Sequence, residues 1–321
     1  MSPKSPVKIV LGTHTVGDSV ENPGIVHWDK AEDVKALLDT FCERGHRYID
    51  TASNYPHSEE RLGQASAASR FTILTKVRDG SPGSHAPDKI AASIKKSLED
   101  LQTSTVDTMF LHVPDRETPF EIVAKAMDDA FRKGQFKHFG LSNYSAAEVQ
   151  KFLEICEENG YVKPSKFEGH YNAIFRSGEK ELFPLLRKHN IAFYGYSPAA
   201  GGLFSGSDAS ASSRRWHKDN LIGNNYNLFY GHPSVQASVA PILDAAKKYG
   251  ITGHAAALRW TAFHSVLDGT YGDGIVFTVS SMEQLHKTLD AIDAGPLPAN
   301  LADTFSKLYS AVEEAGLAYH L

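Results

Sequence analysis

Along the chain, short apolar runs rich in β-branched and aromatic residues alternate with longer stretches whose apolar positions recur every three or four residues. The run "KIVLG" precedes a helical pattern over about 30–44, "RYID" one over 58–67, and "FTILTK" one over 87–102. "TMFLH" leads to 119–133, "FKHFGLSN" to 145–159, "SKFEGHYN" to 179–189, "IAFYGYS" to 234–249, and "GIVFTVS" to 281–293. Eight strand–helix units follow one another with no break in strand order and no linker. That favours an α/β fold of the closed (β/α)8 or TIM-barrel type, with residues 1–321 as one domain, over an open doubly wound sheet. One long connection, Ser- and Gly-rich over 199–215 and continued by "GNNYNLFYGHP", belongs to the seventh strand, and long loops in compact domains tend to be functional. A last helix near 300–315 and the tail "GLAYHL" lie outside the eightfold pattern and are expected to cover one barrel end.

Composition narrows the partners more than the fold. With 41% hydrophobic and 22% charged residues, the chain can bury a large core. The net charge is −5 and the 33 Lys and Arg are scattered, so neither nucleic acid nor an anionic membrane is an expected partner; a small molecule is. Cys42 and Cys156 each fall within a helical pattern, which suits buried thiols of a cytoplasmic protein better than a disulfide scaffold or a metal site. No stretch reaches the roughly 18 apolar residues of a membrane span, and the N-terminal apolar run is too short for a secretion signal.

In (β/α)8 barrels the chemistry gathers at the C-terminal ends of the strands. Here those ends carry Asp50, Lys76, His112, and the pair Ser142 and Asn143, with Tyr55 on the loop after the second strand. Taken singly, a strand-end Asp is most often a helix cap, a Lys a solvated charge, and a His a satisfied core residue. A Lys that ends the apolar run "FTILT" needs a buried partner, however, because an unpaired charge there is costly, and Asp50 can supply it. A phenol titrates near 10, too high for a good acid at neutral pH, and a neighbouring ammonium favours its ionised form. Lys76 therefore tunes Tyr55 as a general acid, Asp50 holds Lys76, and a neutral His112 orients a carbonyl by a hydrogen bond. The set contains no nucleophile and no metal-ligand group, so a bound cofactor must bring the reducing equivalent.

The stretches "YIDTASNYPHSEERLG", "FLHVPD" and "GLSNYSAAEV", together with Lys76, resemble the aldo-keto reductases, and "GHYNAIFR", "ELFPLLRKHNIAFYGYSPAAGGLFSG", "AALRWTAFHS" and "SSMEQLHKTL" are most similar to their aflatoxin-aldehyde (succinic semialdehyde) reductase branch. The resemblance covers nearly the whole chain and implies reduction of aldehydes and ketones by NADPH. By it, Ser142, Asn143 and Glu168 hold the nicotinamide carboxamide, Glu168 standing where the family usually has Gln, and Tyr196 stacks on the ring. Ser197, Pro198, Gly201 and Gly202 approach the pyrophosphate, and Ser280, Ser281 and Gln284, with Arg214 and Arg215, receive the adenosine 2′-phosphate. Trp216, Tyr226 and Tyr319, with Phe229 and Tyr230, are candidates for an apolar substrate pocket, and related enzymes suggest a homodimer.

Two other readings compete. "GYSPA" comes near a serine-hydrolase elbow, but Pro198 after the serine removes the amide that an oxyanion hole requires. The potassium-channel β-subunits resemble the same family, so a cofactor-loaded regulatory or sensor subunit is the alternative. Negligible turnover across a panel of aldehydes, despite tight NADPH binding, would favour it.

Overall fold

Eight apolar runs pair side by side, in parallel, into a closed barrel: β1 (Lys8–Gly12), β2 (Tyr48–Asp50), β3 (Thr72–Val77), β4 (Val106–Leu111), β5 (Phe136–Ser142), β6 (Pro164–His170), β7 (Ala192–Tyr196) and β8 (Gly274–Phe277), the last pairing with β1. The computed structural model describes residues 6–78, 81–205 and 221–321. The (β/α)8 expectation therefore holds, and its cause is visible in the burial: strands covered on both faces read as continuous apolar runs.

Alternate residues fill the interior. A middle plug of Val10, Leu74, Phe110, Ala192, Tyr194 and Val276 separates a polar upper layer from a polar lower one. Gly140 makes the plug possible, because a Cβ there would sit 2.2 Å from the Phe110 ring. The outer faces of the strands pack on α1 (Ala31–Glu43), α2 (Ser58–Gln64), α3 (Pro87–Asp100), α4 (Phe120–Arg132), α5 (Ala146–Asn159) and α6 (Leu182–Lys188), each close to its expected range. Ser145 and Glu148 begin α5 with a reciprocal capping box.

After β7 the structure departs from the expected pattern. Among the described residues, three α-helices intervene before β8: α7 (Leu221–Tyr230), α8 (Pro233–Lys247) and α9 (Gly253–Phe263), followed beyond β8 by α10 (Met282–Asp293) and α11 (Ala299–Val312). The helix that lies against β8 and α10 is α9, whereas α8, which the periodicity assigned to the seventh unit, packs mainly on α11. The sequence "GHAAALRWTAF" hides this role because the helix is buried over most of its surface and shows no polar stripe. Trp260 donates to Ser306 of α11 at 3.0 Å, and the Arg259 guanidinium donates to the carbonyls of Ala294, Gly295 and Pro296 that follow α10. No helix among the described residues is long and apolar enough to cross a membrane.

Candidate active site

The pairing of β2 with β3 runs on past Asp50, the amide of Thr51 donating to Leu74 at 2.9 Å and that of Ser53 to Lys76 at 3.1 Å. This extension carries Tyr55, two residues ahead of the left-handed His57 that opens α2, up to the end of β3. Four side chains named from the sequence thus meet at the upper mouth. Lys76 Nζ lies 2.5 Å from Asp50 Oδ2, 2.9 Å from the Thr51 carbonyl oxygen, and 5.6 Å from the centre of the Tyr55 ring. Tyr55 meets His112 edge to face, with ring centres 6.0 Å apart.

Electrostatics sets the protonation of this group. Lys76 is wholly buried, which by itself favours the neutral amine, but the Asp50 carboxylate, with the carboxyl of Glu168 beside it, outweighs burial and holds the ammonium well above its ordinary range. His112 is pushed down to about 3, chiefly by burial and then by the Lys76 charge, so it is a neutral imidazole near pH 7.

The remaining predicted residues fall into several groups. Asn143, in a left-handed turn with φ 65°, donates from Nδ2 to the His112 carbonyl and to Ser142 Oγ, both at 3.0 Å, and its Oδ1 accepts from the Tyr196 hydroxyl at 2.8 Å. Glu168, expected among the carboxamide contacts, has Oε1 3.3 Å from Lys76 Nζ and so stands inside the charged cluster. Ser197 and Gly201 take left-handed backbone, with φ 55° and 60°, and a Cβ on Gly201 would come 2.4 Å from the ring of Tyr226, which crosses this turn from α7. Gly202 follows with φ 88°, and the Pro198 carbonyl accepts from Thr261 of α9 at 2.8 Å. Ser281 caps α10 by accepting from the Gln284 amide, while Gln284 Oε1 accepts from the amide and hydroxyl of Ser280, both at 2.9 Å.

Tyr319, expected in the substrate pocket, is held by its own hydrogen bonds. It is buried outside the barrel against Gly178, its hydroxyl donating to Glu181 at 2.7 Å and accepting from the Ala146 amide at 2.8 Å. Arg214, Arg215 and Trp216 lie outside the described residues.

Two residues at the mouth were given no role by the sequence reading, although His170 falls near a strand end in it. His14 meets Tyr55 edge to face at 4.8 Å; it sits two residues beyond β1, and the strand-end rule applied to that strand would have found it. His170, the last residue of β6, supports Tyr196 from beneath: their rings stack at 5.0 Å, Phe175 stacks on the other side at 3.7 Å, and Nε2 is 2.7 Å from the Tyr230 hydroxyl. Asn172 completes the support by donating to the Ser197 carbonyl at 3.0 Å.

Comparison with known proteins agrees with this geometry. Residues 8–310 match the model of the aldo/keto reductase family. An aldo-keto reductase of Pseudocercospora fijiensis (strain CIRAD86) is 36% identical over 86% of this chain and 97% of its own length. The oxidoreductase sirO of Leptosphaeria maculans is 35% identical over 99% of this chain and 98% of its own. The human aflatoxin B1 aldehyde reductase member 2 is 34% identical over 97% of this chain and 88% of its own.

Proposed function

The chain belongs to the aldo/keto reductase family, and on that premise we propose that it reduces aldehydes or ketones to alcohols with NADPH, Tyr55 being the general acid. Carbonyl reduction is what the family and its oxidoreductase relatives support; the cofactor and the residue roles are our own reading. One observation carries it: a fully buried ammonium, Lys76, stands between a carboxylate and the Tyr55 ring at the open end of the barrel. A positive charge in that place stabilises negative charge on the phenol oxygen, and in a dry site its effect is far larger than in water. Asp50 keeps Lys76 charged and aimed. Neutral His112 can donate a hydrogen bond to the substrate oxygen without competing for the proton.

The residues at the mouth fit a nicotinamide dinucleotide. The partly exposed Tyr196, braced by His170, offers an aromatic surface for the ring; the turn at Ser197, Gly201 and Gly202 and the start of α10 suit its phosphates. Bound there, the cofactor would supply the hydride. Asn143, locked by Tyr196 and the His112 carbonyl, would fix the ring relative to Tyr55.

The test is Tyr55→Phe. Loss of the hydroxyl should lower kcat for carbonyl reduction by about 10²–10⁴, while NADPH affinity, read by fluorescence titration, changes little because the hydroxyl acts on the transition state. An unaltered kcat would remove Tyr55 from the acid role. For the cofactor, replacing Arg214 and Arg215 together should weaken NADPH far more than NADH, and equal weakening would exclude them from the 2′-phosphate.

A further inference from the structure

The cluster around Lys76 holds one charge too many. Two carboxyl groups, Asp50 at 2.5 Å and Glu168 at 3.3 Å, share a single ammonium, and all three side chains are at most 4% exposed. With both acids ionised, the site carries a net negative charge away from water, which is expensive unless something neutralises it. The other ionisable groups facing Glu168 are Tyr194 and Tyr196 of β7, both held in the neutral phenol form chiefly by burial, and neither can neutralise it. Across the mouth, Tyr55 and neutral His112 add no positive charge, and Glu59, on the outer side of β3, adds another acid.

The hydrogen-bond geometry points the same way. The carboxyls of Glu168 and Asp50 meet on the one ammonium of Lys76, yet two ionised acids have no donor between them, and Oε2 of Glu168 is then a buried oxygen with no partner among the described residues. One proton supplies the missing donor and removes the excess charge. It resides with Glu168, because Asp50 has the shorter contact with the ammonium.

We propose that Glu168 is a positioning residue that shares one proton with Asp50, keeping the cluster around Lys76 neutral while Tyr55 donates, and that loss of this proton at alkaline pH shuts donation off. Burial, then the Asp50 charge, raises the proton affinity of Glu168 well above the usual carboxylate range, against the pull of Lys76. At pH values below the raised point where Glu168 ionises, the cluster is one ammonium and one carboxylate. Above that ionisation point a second negative charge faces Tyr55 and opposes the phenolate that donation leaves behind. Only O–H bonds change: the proton passes from Glu168 to solvent as pH rises and returns as it falls. The inference rests on the function proposed above, but its first test does not.

That first test is infrared spectroscopy of the protein without cofactor. Near neutral pH the spectrum should contain the C=O band of a neutral carboxylic acid that disappears in Glu168→Gln. Glu59, pushed up to about 7 by burial, contributes a second such band, which Glu59→Gln removes and Glu168→Gln leaves. In Asp50→Asn the Glu168 band should vanish too, since Glu168 becomes the sole counter-ion of Lys76. If Glu168→Gln removes no acid band at neutral pH, Glu168 is ionised and the proposal falls.

The second test is the pH profile of the single-turnover reduction rate in the NADPH-loaded enzyme. Wild type and Glu59→Gln should lose about tenfold in rate per pH unit beyond the point where Glu168 ionises, and Glu168→Gln should lack this limb. An unchanged limb in Glu168→Gln overturns the coupling to Tyr55. Failure of the function itself would look different: no reduction in any variant, with the infrared result intact.

Discussion

The two ends of the barrel interior carry mirror-image charge problems. At the upper end one buried ammonium, Lys76, faces two carboxyls; at the lower end two lysines, Lys8 and Lys166, share one carboxylate, Asp107, which Lys166 contacts at 2.6 Å. Each places its lysines against rings, Lys76 beside Tyr55 and Phe110, Lys8 and Lys166 beside Tyr194. They differ in access to water. Lys8 is half-buried, and its affinity for a proton falls through burial and then through repulsion from Lys166, but its ammonium also leans on the Gly272 carbonyl at 2.9 Å and is partly wetted. Lys76 also leans on a carbonyl, that of Thr51 at 2.9 Å, but the excess charge of the upper cluster is negative and buried, so it must be met by a proton. Similar residues thus make a structural plug at one end and a chemical device at the other, solvent access deciding which.

Removing the lysine on each side should expose that difference most strongly. Lys76→Met leaves two acids around a vacated charge and should cost about 3–5 kcal/mol of stability, besides abolishing most reduction. Lys166→Met leaves Asp107 near Lys8 and partial solvent, and should cost about 1 kcal/mol with catalysis intact. Denaturant unfolding and steady-state rates read both, and equal costs would mean that the two ends are alike. Next in size, Gly140→Ala drives a methyl group into the Phe110 ring that separates the ends, and should cost about 1–3 kcal/mol by calorimetry.

Acid should strike the upper end preferentially. His170, pushed down to about 3 by burial, stays neutral in the folded protein while the unfolded chain takes up a proton below its ordinary value of 6.5. Its contribution is therefore complete above about pH 6.5 and is lost as pH falls toward 3. His170→Asn should lose about 2 kcal/mol less stability than wild type between pH 7 and pH 5; identical losses would mean that the imidazole is charged when folded. The smallest effect belongs to Tyr196→Phe, which removes the 2.8 Å hydrogen bond to Asn143. It should cost about 1 kcal/mol of stability and loosen the cofactor only slightly, measured by fluorescence titration.

Most of the framework could be read from the sequence, because strands buried on both faces leave uninterrupted apolar runs, and the residues ending them lie at one rim. Asp50, Lys76 and His112 were found by that rule, and Tyr55 by its place on the loop that follows Asp50. What escaped depends on contacts between distant elements. Glu168 reaches Lys76 from β6 to β3 across the barrel, and no local pattern records that distance. The helix α9 escaped because burial over most of its surface erases the polar stripe that marks an amphipathic helix. Tyr319 looked like a pocket aromatic, yet its hydroxyl has partners in two separate segments, Ala146 and Glu181, and only the folded tail shows this.

The tail has a practical side. The Leu321 amide donates to the carbonyl of Asn143 at 3.1 Å, and Arg116 grips the Leu321 carbonyl at 2.6 Å, so this residue hangs from the same asparagine that braces Tyr196 and His112. Any affinity tag, fusion partner or surface linker attached after Leu321 would emerge beside the rim where chemistry is expected. Pro6, by contrast, lies at the opposite end, near Lys8 and Tyr48.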